Sequence, residues 1–265
     1  MISKQMLTAA ALGGAALLLL TGCSTASTSN VAAGTVNESS STSPTPTSSS
    51  VAALPFNAGG YLAGNATPKV AVGDAWKISV VATAPLEKTD GTGSGTLTFA
   101  FRNNTAAPIS HVDFTGTASV GGKVVASGSS QDTVPAQVKP GEAGFGYLYF
   151  EDVSSVPESG VQYEFKASTS PADTSSYNSA PLNVTQADNN GTSIIGTAVN
   201  KTGKPLTGPY SVGIYCFSGD TLTSSTLDYA TESGDIEADA TVSFSRDLYD
   251  APCDTFTVGV SGWFK

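Results

Sequence analysis

The sequence predicts an all-β protein: two tandem antiparallel β-sandwiches that follow an export signal and a disordered tether. Three observations predict it. From Trp76 onward apolar residues alternate with polar ones at period two in stretch after stretch, while no window sustains the 3.6-residue period of an amphipathic helix. Composition runs the same way, with 28 Gly and 14 Pro in 265 residues and few of the Glu, Lys and Leu that favour helix. Finally, segments of the two halves line up at a constant offset of 97 or 98 residues.

Charge and rare residues exclude several functions. The chain carries 22 acidic against 12 basic side chains, a net charge of −10. That balance argues against nucleic-acid binding, which needs a basic face for phosphate. One His and three Cys cannot build a zinc ribbon or an iron–sulfur cluster, and no cofactor is expected.

At the N-terminus, Lys4 precedes an unbroken, mostly apolar run from Leu7 to Leu20. As a helix those residues would span about 21 Å, short of the ~30 Å hydrocarbon core, so the run reads as a secretory signal rather than a membrane span. It ends in Leu20-Thr21-Gly22-Cys23, which resembles the lipobox of bacterial lipoproteins. That resemblance implies a signal peptide over 1–22, cleavage before Cys23, and diacylglycerol on its thiol. Two acyl chains make a stable anchor, which places the protein on the extracytoplasmic face of the cell membrane.

Residues 23–69 read as a disordered tether. Between Ser24 and Ser50, 16 of 27 residues are Ser or Thr, too little apolar surface to offset the entropy of ordering.

Strands follow. Trp76, Ile78 and Val80 share a phase, as do Leu97, Phe99 and Phe101, then Val112, Phe114, Gly116, Ala118 and Val120. Later runs are Val161, Tyr163 and Phe165; Val212, Ile214 and Cys216; and Phe256, Val258 and Val260. Phe101-Arg102-Asn103-Asn104-Thr105 aligns with Val199-Asn200-Lys201-Thr202-Gly203, Ser119–Ser130 with Cys216–Leu227, and Val138–Phe150 with Ile236–Leu248. This repetition predicts one sandwich over 70–180 and a second over 181–265. A single sandwich of twice the strand number is the alternative.

The order of strand, Asn turn, hairpin, Pro-Gly-Glu turn and aromatic strand resembles the immunoglobulin-like FxLYD-type modules of bacterial lipoproteins. Gly196-Thr197-Ala198-Val199-Asn200, Ile214-Tyr215-Cys216-Phe217 and Ala240-Thr241-Val242-Ser243-Phe244 carry it best. The first half matches more loosely. With Val72-Gly73-Asp74 leading into its first strand, it is also similar to telokin-like lipoprotein domains. The resemblance implies an extracytoplasmic immunoglobulin-like fold without shared catalytic residues. One departure is Glu237-Ala238-Asp239 where Pro-Gly-Glu is expected.

With Cys23 lipidated, Cys216 and Cys253 are left as an even pair in an oxidising compartment. They are expected to form a disulfide, the alternative being two unpaired buried thiols.

Candidate chemistry is sparse. His111 and Asp113 share a strand face at i, i+2, but no Gly-x-Ser-x-Gly or Ser-x-x-Lys supplies a nucleophile, so no enzyme activity is expected. The run Asp228, Glu232, Asp235, Glu237, Asp239 is acidic; of these, Asp235, Glu237 and Asp239 are candidate calcium ligands, although the spacing is not that of an EF-hand. Phe145, Tyr147, Tyr149 and Phe150 form an aromatic strand, either covered on both faces or offering Tyr147 and Tyr149 as a contact surface.

The expected function is that of a lipid-anchored, non-catalytic lipoprotein that binds or positions a protein or cell-wall component. A small-ligand carrier with a cleft between the sandwiches is the alternative. Replacing Cys23 by Ala is expected to abolish metabolic labelling by an alkyne fatty acid and move the protein from the membrane to the soluble fraction; persistence in the membrane would refute the lipid anchor.

Overall fold

The computed structural model describes residues 50–249 and 251–265, and every regular element among them is a β-strand. The expected signal segment 1–22, the expected lipidation site Cys23 and the stretch 24–49 lie outside the described residues.

The first half holds β2 (Ile78–Lys88), β3 (Gly95–Asn103), β4 (Ile109–Val120), β5 (Lys123–Val134), the short β6 (Gln137–Val138), β7 (Ala143–Phe150) and β8 (Gln162–Pro171). The second holds β9 (Ser179–Asn189), β10 (Ser193–Val199), β11 (Leu206–Ser218), β12 (Thr221–Tyr229), β13 (Thr241–Asp247) and β14 (Thr255–Phe264). All pairings are antiparallel, and the strands fall into two sheets of seven. The expected join at Ala180-Pro181 falls just inside β9. Trp76 differs from expectation: it precedes β2, is exposed, and has a left-handed backbone with φ 65°.

Both halves run the same circuit. In the first, β2 pairs with β3, β3 with β7, β5 with β4, and β4 with β8. In the second, β9 pairs with β10, β10 with β13, β12 with β11, and β11 with β14. The ring closes in different places, through β5–β7 in the first half and through β14–β9 in the second.

A buried Asn sets the equivalent turn in each. Asn103 donates to the carbonyls of Ala107 and Val138 and accepts from the amide and hydroxyl of Thr105. Asn200 donates to Lys204 and Glu237 and accepts from both groups of Thr202. Gly141 donates its amide to the Asn103 carbonyl, as Asp239 does to Asn200. Their φ angles are 82° and 64°, so Asp239 takes the left-handed place that Gly141 fills. The departure from Pro-Gly-Glu thus leaves the turn intact.

Each half encloses its own core. In the first, Phe99 of β3 meets Phe114 of β4 at 4.7 Å and Phe165 of β8 at 5.4 Å between ring centres, with Leu97, Phe101, Leu148 and Phe150 around them. In the second, Leu182, Ile194, Val242 and Phe244 face Val212, Ile214, Val258 and Val260. The Cys216–Cys253 disulfide, with Cα atoms 5.1 Å apart, lies in that core. Closing a loop between residues 37 apart in sequence contributes about 4 kcal/mol in the chain-entropy account.

A third apolar cluster joins the halves, which form one compact unit spanning Ser48–Lys265. The outer face of β3 and β7 lays Ala100 and Phe145 on Tyr215 and Phe217 from the outer face of β11, with Phe145 5.1 Å from Tyr215 and 5.9 Å from Phe217. Leu62 and Ala66 complete it, which corrects the extent of the tether: residues 50–69 are part of the fold. β1 (Ala63–Gly64) pairs with β14, and Asn65 accepts from the Phe256 amide and donates to the Asp254 carbonyl. On either side of this contact the arm returns to the first half. There the buried Arg102 guanidinium donates to the carbonyls of Leu54, Val70, Ala71 and Gly141.

Backbones approach closely where Gly259 of β14 meets Val134 of β5. A Cβ on Gly259 would lie 2.7 Å from the Val134 Cβ and 2.8 Å from Leu62 Cδ2. Gly259→Val is therefore expected to wedge the halves apart and lower stability by about 1–3 kcal/mol, read as a fall in the denaturation midpoint. An unchanged midpoint would refute tight packing at this point.

Candidate functional site

Along the seam the two sheets diverge past Val134 and Gly259, leaving a cleft of about 370 Å³. Its residues come from both halves. β5 and β7 supply Gln131, Asp132 and Tyr147; β11, β12 and β14 supply Pro209, Ser211, Leu227, Asp228, Tyr229 and Trp263. A smaller depression of about 220 Å³, bounded by Thr96, Tyr147, Ser225 and Leu227, extends it along the seam. Beside it the hydroxyls of Thr98 and Ser225 pair across the seam at 2.7 Å.

Local irregularities aim these side chains. The β5–β7 register shifts between Ser130 and Thr133, and such a bulge redirects the residues it releases: Gln131 and Asp132 enter the cleft. The β11–β14 register shifts between Thr207 and Ser211 and brings in Pro209. Beyond it Ser211 faces Ser261 across the ladder, and Trp263 lies two residues further on the same face.

Asp132 is the central polar group. Its carboxylate accepts from the Ser211 hydroxyl and from its neighbouring Thr133 amide at 2.7 Å. Burial still dominates, with Asp113 adding repulsion, and the carboxyl is held above its ordinary value of 3.8. The same burial, with Asp132 and Tyr229 nearby, pushes the Tyr147 hydroxyl up to about 12. Asp132 takes part in none of the four ion pairs among the described residues. The other carboxylate of the cleft, Asp228, lies 3.6 Å from Arg246. The Ser261 hydroxyl, 4% exposed, is without a hydrogen-bond partner.

Aromatic rings form the rim. Tyr229 is 63% exposed and Trp263 37%, with His111 stacked against Trp263 at 5.7 Å. A depression of about 520 Å³ beside β2 and β8 is larger, but its one cation, Lys88, already donates to the Val156 carbonyl.

The residues singled out from sequence separate in the fold. Tyr147 lines the cleft, while Tyr149, two residues along the same face, stays exposed outside its lining. Phe145 enters the seam core and Phe150 the first core, so the aromatic strand is covered on both faces except at Tyr149, which stays open next to its end. Asp235, Glu237 and Asp239 do not converge: Asp235 pairs with Lys265 at 2.6 Å and Asp239 with Lys201 at 2.7 Å. Among the described residues no group of three or more His, Cys, Asp or Glu side chains is placed to hold a metal, which corrects their candidacy as calcium ligands. His111 and Asp113 do not hydrogen-bond among the described residues; His111 sits at a break in the β4–β8 ladder with φ 44°. Asp132, Ser211, Tyr229 and Trp263 were not legible as a site. The available signal was Tyr215 and Phe217, apolar on the phase opposite Val212 and Ile214, which marks a strand covered on both faces.

Comparison with protein-family models and with curated proteins finds no match for the chain.

Two carboxylates give opposite pH dependences. Because the folded Asp132 holds its proton more tightly than the unfolded chain does, its contribution falls as pH rises from 3.8 through the raised folded value. The Asp173 carboxyl, in the loop before β9, accepts from the Ser175 amide and hydroxyl and the Asn178 amide, and is lowered to about 2. Its contribution is present above 3.8 and is lost as pH falls toward about 2. Thermal melts across that range should show Asp132→Asn gaining on wild type as pH rises. Asp173→Asn should lose at neutral pH, the deficit vanishing in strong acid. Parallel curves for the three proteins would refute both assignments.

Proposed function

We propose that the chain is a lipid-anchored, extracytoplasmic, non-catalytic lipoprotein of FxLYD-like modules that binds another cell-envelope component at the seam between its halves. The observation that carries this reading is the cleft of about 370 Å³ with Tyr147, Tyr229 and Trp263 around a half-buried carboxylate. Concave, largely aromatic sites with few polar groups are where ligands are held, and exposed Tyr and Trp are favoured contact residues.

Location rests on the Leu20-Thr21-Gly22-Cys23 resemblance, and the Cys216–Cys253 bond suits an oxidising compartment. An enzyme is disfavoured because the single imidazole, His111, stacks on Trp263 rather than facing a nucleophile. The cleft also favours a second reading, a small-ligand carrier, since its volume lies near the lower end for ligand pockets.

Photo-crosslinking in intact cells tests the first reading. A probe at Tyr229 is expected to give one discrete adduct that disappears with Trp263→Ala, while a probe at Asp235 gives none. No adduct from a normally anchored protein would overturn the macromolecular partner.

A further inference from the structure

The geometry points to a ligand class for this cleft: an alkyl ammonium group, its charge on Asp132 and its methylenes against Tyr147, Tyr229 and Trp263. The inference rests on the cleft being the recognition site.

Three features of the lining carry it. First, Asp132 is a carboxylate without a cation. Its hydrogen bonds come from a hydroxyl and a backbone amide, neither of which cancels its charge, and burial without a counter-ion is costly. Asp228, by contrast, is already answered by Arg246. An incoming ammonium would supply the missing charge at the cleft floor.

Second, the walls suit a cation. Tyr147, Tyr229 and Trp263 approach from different strands, and aromatic faces attract ammonium groups through their quadrupoles. Alkyl carbons next to the charge pack on the same rings.

Third, the polar groups are mismatched to the alternatives. No Lys or Arg lines the cleft, which disfavours phosphate or carboxylate ligands. A sugar would find donors in Gln131, Tyr147, Tyr229 and Trp263, but as a neutral ligand it would leave the charge of Asp132 unanswered. The modest volume admits a side chain or a small amine rather than a nucleotide. The ammonium can therefore belong to a lysyl side chain on a partner or to a free amine.

The test is a titration of the full-length protein in detergent, carrying Trp76→Phe so that Trp263, the second of two tryptophans, reports alone. The probes are n-butylammonium, n-butanol, butyrate and Nα-acetyl-lysine methylamide. Saturable quenching by the two amines is expected, with n-butanol and butyrate at least tenfold weaker. Asp132→Asn, which keeps the acceptor for Ser211, should weaken the amines at least tenfold; Tyr229→Ala, at an exposed rim position, should weaken them about two- to fivefold. Tighter binding of the lysine derivative than of n-butylammonium assigns the source to a partner side chain, and the reverse order assigns it to a free amine; both support the proposal. Equal saturation by n-butanol, or unchanged amine binding in Asp132→Asn, overturns the ammonium while leaving the cleft as a recognition site. Crosslinks that persist in Trp263→Ala would instead overturn the cleft itself.

Discussion

The structure depends on one apolar contact, Phe145 laid between Tyr215 and Phe217 where the two sheets meet. Either module alone would leave this surface in water. At about 25 cal/mol per Å² of buried apolar area, three aromatic rings on one contact outweigh any single polar bond across the seam. The arm 50–69 makes the contact a closed core by adding Leu62 and Ala66. Arg102 ties that arm to the first half through the carbonyls of Leu54 on one side of the arm's contact with β14 and Val70 and Ala71 on the other, and it holds the Gly141 carbonyl of the first half as well. A guanidinium presents donors in a fixed fork, so one side chain fixes several strands of chain at once.

The cleft follows from how the contact ends. Where Gly259 lacks a side chain, Val134 closes the gap between sheets. A few residues away the bulge in β5 turns Asp132 into the seam opposite Ser211, and a polar pair stands where an apolar one would have continued the core. The same bulge thus terminates the seam core and begins the site. The rings of Tyr147 and Trp263 lie on the same strand faces as the seam residues Phe145 and Gly259, so the aromatic rim extends the seam surface into solvent.

Local pattern was legible and long-range contact was not. Period-two alternation located the strands because their inward residues face a core along each element. The offset of 97 or 98 residues was legible in the sequence, but the alignment of Phe101–Thr105 with Val199–Gly203 is one residue out of step: in the fold Asn103 corresponds to Asn200, each bonding a carbonyl four residues on. The arm escaped notice because short Ala, Gly, Asn and Pro segments carry no period; what orders it is β14, some 190 residues away. Trp76 looked strand-like from its phase with Ile78, yet it stays exposed and the chain turns there. Asp132 and Ser211 lie 79 residues apart, and each read alone is an ordinary polar strand residue. The acidic candidates separate for a related reason: closeness in sequence put Asp235 and Asp239 together, and the fold gave each its own lysine.

The manner of stacking sets the two described modules apart from an open array. The outer face of β3 and β7 packs on the outer face of β11 and β14, and these are not equivalent layers of the two modules. Contacts between unlike faces can in principle propagate, because each new copy leaves the same face free. Here the free faces are unlike those in the seam. On β4 and β8 the outward residues are Asp113, Thr115, Thr117, Glu164 and Lys166; on β10 and β13 they are mostly Thr and Ser (Thr197, Thr241, Ser243, Ser245), with Ile195 and Val199 the aliphatic exceptions. Hydroxyls and charges at those positions remain hydrated, and nothing comparable to Phe145 or Tyr215 repeats there. Polar outer faces cap a repeat array. The apolar seam, and with it the cleft at its end, therefore occurs once among the described residues.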